Sequence, residues 1–295
     1  MGTPKDTLFQ LDNPAIDEIS GLRPLMAFPF FALSKKAWME PLVYSTRTGS
    51  IEVRPSPLGV ATIYDKEIIL LIASLIASKI EEGASVSQDL ILTANDLFSA
   101  TGSNHSARSY SRLSDALGRL QGTQIKTNIE VAGGGEVGFF SWLSAARLQY
   151  AHSSKGEKRL KAVKVRLSDW LFRTILRERQ LLDYAPTYRK LGPIQRRIYE
   201  VARSACIDGE RLEMGVEALK SQIGFRRRLP CFDTVLRKLA AANDFPDYDI
   251  RLVEDAPMDD ARRHMGSMPA KVRVIFARRP ELSAAMVVEH QSAEA

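Results

Sequence analysis

Residues 89–122 read DLILTANDLFSATGSNHSARSYSRLSDALGRLQG, and this stretch decides the fold. DLILT is short, alternating and rich in branched side chains, as a strand is. Thr93 stands where a helix N-cap belongs, ANDLFSA is a short helix, and Gly102 supplies its stop. From Ser106 the spacing becomes helical again. Tyr110, Leu113, Leu117 and Leu120 share one face, while Arg108, Ser111, Arg112, Asp115 and Arg119 occupy the opposite one. A short helix followed, after a glycine, by a longer amphipathic helix with a basic outer face is a helix-turn-helix pattern.

Upstream, YDKEIILLIASLIASKIEE (64–82) places Ile68, Leu71, Ile72, Leu75, Ile76 and Lys79 at helical spacing behind Asp65 as N-cap. It is apolar nearly all round and predicts a buried helix. Before it, LVYST, RTGS and IEVRP read as strand, turn and strand, an N-terminal hairpin turning at Gly49. Downstream, TQIKTNIEV, EVGFFSWLSAARLQY and RLKAVKVRLSD alternate, with breaks at AGGG (132–135) and near 152–156. These are strands of a hairpin or a three-stranded sheet, with AGGG better suited to a wing tip than to a phosphate cradle. Helix, strand, short helix, exposed helix and hairpin is the order of a winged helix-turn-helix.

The second half repeats that order. LGPIQRRIYEVARSACI is a helix with Pro193 in its first turn, RLEM a strand, GVEALKSQI a short helix stopped by Gly224, and LPCFDTVLRKLAAAN an amphipathic helix. DYDIRLVED and KVRVIFARR then form a hairpin around a long tip at 256–270. A shift of 122 residues aligns Leu92 with Met214, Leu97 with Leu219, Gly102 with Gly224, Tyr110 with Phe232, Leu113 with Val235 and Leu117 with Leu239. Apolar matches come cheaply between helices, so the shared glycine stop and shared element order carry the inference of a tandem duplication.

The fold expected is therefore α+β, two tandem winged helix-turn-helix domains with an N-terminal β-hairpin. The boundaries read as a flexible tail over 1–24, domain 1 with its hairpin over 25–176, an inter-domain helix or linker over 177–190, domain 2 over 191–280, and a second flexible tail over 281–295. A chain of 295 residues with 45% hydrophobic and 26% charged composition is ordinary globular material. Its longest charge-free apolar run is the 11 residues 68–78, well short of the roughly 20 a membrane helix requires. The N-terminus carries acids before any apolar run, unlike a secretory signal, so a cytoplasmic location without membrane partners is expected. Cys206 and Cys231 have no metal or disulfide spacing and read as reduced, ordinary side chains.

The net charge is +6, but residues 1–25 sum to −2 and 281–295 to −3, which leaves +11 on the body between them. Such an excess argues for a polyanionic partner, with double-stranded DNA first. Arg108 and Arg112, one turn apart, are candidates for base contact, because arginine forks onto guanine O6 and N7. Ser106 and Ser109 beside them are small enough to approach a base edge or phosphate. In the second half Arg226, Arg227 and Arg228 precede the amphipathic helix as a phosphate clamp, and Thr234, Arg237 and Lys238 lie along it. Lys126 and, in the basic stretch 155–179, Lys158, Lys161 and Lys164 are candidates for backbone contact. Trp170 and Phe172 are expected to pack between the two domains rather than stack on bases. The competing reading of each basic helix is an ordinary solvated face.

No GxxxxGK[ST] loop, HxH or HExxH is present, so no ATPase or metal-dependent hydrolase is legible, and no cofactor is expected. His105, at the head of the first basic helix, reads as a phosphate contact.

PFFALSKK, GVATIYDKEIIL, YSRLSDALGRLQGTQIKTNI, LSDWLFRTI and IQRRIYEVAR occur in this order and resemble the plasmid replication initiator protein A family over about residues 29–249. The resemblance implies a DNA-binding initiator that binds repeated origin sites (iterons), helps open the duplex, recruits host replication proteins such as a helicase or initiator, and can repress its own promoter. By that resemblance the YSRLSDALGRL block, with Arg112 and Arg119, is the recognition helix. Gly118 departs from helix-forming preference inside that block, and the long tip at 256–270 weakens a DNA role for the second hairpin. The apolar PFFAL block and the hairpin after it could serve a homodimer. Rival readings are a winged-helix repressor without initiator activity, a nicking replication enzyme and a protein-binding scaffold.

Overall fold

The computed structural model describes residues 20–46, 49–102, 104, 106–128, 137–152, 158–178, 181–206, 211–254 and 272–279. Expectations for His105, the AGGG run, the 256–270 tip and the 281–295 tail fall outside them. The elements run β1 (Ser20–Gly21), α1 (Arg23–Ala27), β2 (Leu42–Ser45), β3 (Ser50–Arg54), α2 (Lys66–Glu81), β4 (Asp89–Thr93), α3 (Ala94–Ala100), α4 (Ala107–Gly122), β5 (Gln124–Thr127), β6 (Gly138–Phe140), β7 (Leu143–His152), β8 (Lys158–Leu167), α5 (Asp169–Arg177) and β9 (Leu182–Asp183). They continue with α6 (Pro193–Ala205), β10 (Arg211–Gly215), α7 (Val216–Ile223), α8 (Leu229–Ala242), β11 (Tyr248–Glu254) and β12 (Val272–Arg278). The architecture is mixed α and β, and every paired strand is antiparallel. The chain divides into two compact units, Met1–Ser204 with Lys220–Arg226, and Ala205–Leu219 with Arg227–Ala295.

The first unit is built around α2, buried on nearly every side as its composition requires. Asp65 precedes α2 but does not cap it with its side chain. Instead Thr62 and Asp65 bond reciprocally: Thr62 N–H donates to Asp65 Oδ2 at 2.7 Å, and Asp65 N–H to Thr62 Oγ1 at 3.3 Å. This is capping-box chemistry, and it places the effective cap one turn before the expected residue.

Two strand systems flank α2. The N-terminal hairpin forms as expected, β2 on β3, and extends into a four-stranded sheet ordered β2-β3-β5-β6. A second sheet is ordered β4-β8-β7. The long hairpin that follows α4 is therefore β7–β8, which pairs back on β4. β5 and β6, which precede and follow the AGGG run in the sequence, pair in the other sheet, and the run itself lies outside the described residues. Pairing decides this: β5 finds β3, brought near by the hairpin before it, over Ile51↔Thr127 and Val53↔Ile125.

The aromatic expectation is also corrected. Trp170 stacks on Phe140 (4.2 Å) and lies 6.3 Å from fully buried Trp142, which stacks on Phe31 (4.6 Å). Phe172 packs on the same core. Both are half-buried against the core of the first unit. Residues 20–24, read as tail, are structured too: β1 pairs with β9, and Leu22 is fully buried.

Helix α6, read as the opening of the second domain, lies in the first unit apart from its last residue. Its Glu200 is buried and accepts Lys66 Nζ at 2.6 Å, Tyr188 O–H at 2.9 Å, Tyr184 O–H at 3.0 Å and an Arg197 N–H at 3.2 Å. Arg196 forms an ion pair with Glu67 of α2. An all-apolar docking would need none of this; the charged residues on α6 and the head of α2 are buried because each satisfies the other.

In the second unit the sheet is ordered β10-β12-β11, and α8 buries Phe232, Leu236 and Leu239 alongside Tyr248, Val274 and Phe276. Asn243 ends α8 in the left-handed region, φ 43°, and Arg279 donates to its carbonyl. The sheet order reproduces β4-β8-β7 with each strand in its equivalent place. The shared glycines act alike, Gly102 at φ +59° and Gly224 at φ +75°, conformations that favour glycine.

Candidate nucleic-acid interface

Helix α4 is held by caps at its head and by close contact at its tail. Ser106 is its N-cap, accepting Ser109 N–H at 3.2 Å, and the Ser109 hydroxyl donates to Asn104 Oδ1 at 2.9 Å. Both serines thus secure the turn, and Ser109 is buried. Leu113, Ala116, Leu117 and Leu120 face the core. Gly118 has a local reason: a Cβ there would stand 2.6 Å from Leu58 Cδ1, and one at Gly122 2.7 Å from Ser56 Cβ. The helix tail lies against the 56–59 turn, and glycine permits the approach.

The outer face of α4 divides the expected arginines. Arg108 and Arg112 are exposed and have no ion-pair partner among the described residues. Arg119 differs. Its Nε and Nη2 both donate to Asp65 at 2.8 Å, its side chain is 16% exposed, and the hydrogen bond to Asp65 holds its pKa above the usual guanidinium value. Helical periodicity puts it with Arg112, but Asp65, far away in sequence, turns its guanidinium to the head of α2.

On the β4-β8-β7 sheet, Lys164 is directly opposite Arg147, two like charges on one face. Such a pair is unfavourable in isolation and is relieved by an anion. Arg147, missed in the sequence reading, is found by strand register; Arg166, on the same face, is tied to Asp89 and Gln88. Lys161 is exposed at a bulge, since Gln149 faces Ala162 while Tyr150 faces Leu160. Lys158 opens β8. Lys126, on the four-stranded sheet, lies 5.6 Å from the Phe139 ring in the opposite register position.

In the second unit, Arg227, Arg228 and Lys238 are exposed without ion-pair partners among the described residues. Arg237 is held by Asp233 (2.7 Å) and Glu254 (2.9 Å), and Thr234 O–H bonds back to the Pro230 carbonyl at 2.9 Å. Arg226 belongs to the first unit, where it donates to the Pro41 carbonyl at 2.7 Å. The triplet is thus split. Cys206 is buried, its thiol 3.9 Å from the Phe276 carbonyl, and Cys231 is exposed; no disulfide joins them. Among the described residues no His, Cys, Asp and Glu cluster could hold a metal ion, and no helix is long and apolar enough to cross a membrane.

The chain is 31% identical over 236 residues to a protein of Wigglesworthia glossinidia brevipalpis that bears a replication-protein name, covering 77% of this chain and 82% of the relative. Two crystal structures of RctB domains 2 and 3 share the fold, with TM-scores of 0.55 and 0.53 at 16% and 13% identity. They cover 85% and 87% of this chain and 95% and 97% of their own. The family model for replication initiator protein A matches residues 22–250, and the chain belongs to that family.

Proposed function

We propose that the protein is a sequence-specific, non-enzymatic plasmid replication initiator that binds repeated origin sites through two winged-helix domains. The first spans 25–176 and the second 191–280, joined over 177–190, with the second domain's opening helix, α6, packed in the first unit. The observation that carries the reading is the pair Arg108 and Arg112, exposed and unpaired on the outer face of the helix that follows α3, in a chain of the initiator family. Helices α4 and α8 enter successive major grooves about 10 to 10.5 bp apart. Arg108 and Arg112 supply base contacts, Lys161 and Lys164 on β8 and Arg227, Arg228 and Lys238 beside or on α8 supply phosphate contacts, and Ser106 and Ser109 hold the helix head in place. Deformation of an adjacent A·T-rich segment favours opening, and host replication proteins and a second copy of the chain are the further partners.

A footprint of the purified chain on DNA flanking its own gene tests this reading. Protection of several direct repeats of roughly 20 bp, weakening steeply with salt, is expected. Protection of one palindrome over the promoter would instead favour a repressor, and no protection would overturn the DNA reading.

A further inference from the structure

The first unit contains a cavity of about 510 Å³ between the heads of α2 and α6, the end of α3 and the side of α4. That volume lies in the range of small-molecule sites, roughly 300–1,000 Å³. Its charged lining sorts into two classes. Asp65 and Arg119 form one ion pair and Glu67 and Arg196 another, so these four groups neutralise each other. Lys35 and Arg112 also line it and have no ion-pair partner among the described residues, which leaves the wall with two uncompensated positive charges. Tyr64, half-buried beside them, has its ring covered by the Arg196 guanidinium at 4.6 Å and Lys35 Nζ at 5.9 Å. The Tyr64 hydroxyl makes no hydrogen bond among the described residues and is a third donor. Ile68, Phe98 and Leu113 supply its apolar lining.

We infer that this cavity binds a small phosphate monoester with an apolar or planar body, of mononucleotide size. The charge decides between anions. A carboxylate or a phosphodiester of the DNA backbone carries one negative charge and would leave one cation unmatched. A monoester carries about −1.5 to −2 at neutral pH and matches both. Arg112 can grip two phosphate oxygens as a fork and Lys35 adds a point charge. The apolar lining gives the ligand's body a surface to bury.

A second consequence rests on the reading of α4 as the DNA-facing helix: Arg112 serves both ligands, so the monoester and duplex DNA compete. The cavity would then make origin binding responsive to a soluble phosphorylated metabolite.

Isothermal titration of the full chain with adenosine 5′-monophosphate at pH 7.5, without DNA, tests the site, with inorganic phosphate and adenosine as the two halves of the probe. Saturable one-to-one binding is expected, stronger than either half alone. Lys35→Ala and Arg112→Ala should each weaken it by about tenfold or more, the loss of one charge-assisted contact. Lys36→Ala, exposed and outside the lining, should leave it unchanged. No saturable binding, or equal affinity in the Lys35→Ala and Arg112→Ala variants, would overturn the inference. Duplex binding measured on the same proteins separates the two readings. Weaker duplex binding in Lys35→Ala without monophosphate binding assigns the cavity to the DNA backbone and defeats the monoester site. Monophosphate binding without duplex binding keeps the site and defeats the DNA reading.

Discussion

Replacing Arg112 and Arg119 with alanine, one at a time, should separate two arginines that the sequence places on one helix face. Arg112 is exposed and free of ion pairs, so its truncation should move unfolding free energy by no more than about 0.5 kcal/mol. If it contacts a base edge, affinity for the footprinted repeat should fall by about 1–3 kcal/mol, with relaxed preference at one base position. Arg119 makes two 2.8 Å bonds to Asp65, whose side chain is only 5% exposed. Truncation leaves that carboxylate with the Thr62 N–H as its donor among the described residues, and about 2–3 kcal/mol of stability should be lost. DNA affinity, measured by anisotropy well below the melting transition, should shift by about 0.5 kcal/mol or less. Urea unfolding and DNA titration on the same preparations check both halves. If Arg119→Ala weakens DNA binding as much as Arg112→Ala while unfolding like the parent, the assignment of Arg119 to Asp65 is wrong.

Glu200→Gln should cost about 3–5 kcal/mol in urea unfolding, because Lys66 and Arg197 would keep their buried charges without their carboxylate. Burial lowers the Lys66 pKa to about 8 from 10.5, against the opposing pull of Glu200. The folded state therefore binds fewer protons than the unfolded one between those values, and stability should rise with pH from about 8 towards 10. Lys66→Met should remove that rise; a slope unchanged in the variant would refute the assignment. Gly224→Ala and Gly102→Ala should each cost about 1–2 kcal/mol, since both sit at positive φ; melting curves of the two variants decide. Arg237→Ala should disturb DNA binding less than Arg228→Ala, because Asp233 and Glu254 already hold Arg237, and a salt titration should show a shallower slope only for Arg228→Ala.

Local physics made much of the fold legible in the sequence. Strand β4, the Thr93 cap, the glycine stop and the amphipathic α4 follow from short-range rules of alternation, capping and periodicity, and the structure holds them where the residues put them. The recurrence of that order 122 residues later required only comparison of the chain with itself. The N-terminal hairpin was equally local, its turn closed by Thr46 N–H on the Gly49 carbonyl at 2.8 Å.

Long-range pairing was not legible. Nothing within a strand states its partner, so the strands after α4 read as one hairpin or three-stranded sheet, whereas β5 pairs with β3 and β6 in one sheet and β7 with β8 in another. Periodicity sets which side of a helix a residue occupies, but not what chain segment arrives there. Asp65 claims Arg119, and Glu254 and Asp233 hold Arg237, while Arg108 and Arg112 on the same kind of face stay free. The sequence by itself determined the order of elements within each half and the basic outer faces, because each depends on neighbours within a few residues. Only the tertiary structure decided which cations remain available, that α6 is fastened to α2 by buried charge, and that Lys35 meets Arg112 at one cavity, because ion pairing and packing join residues far apart along the chain.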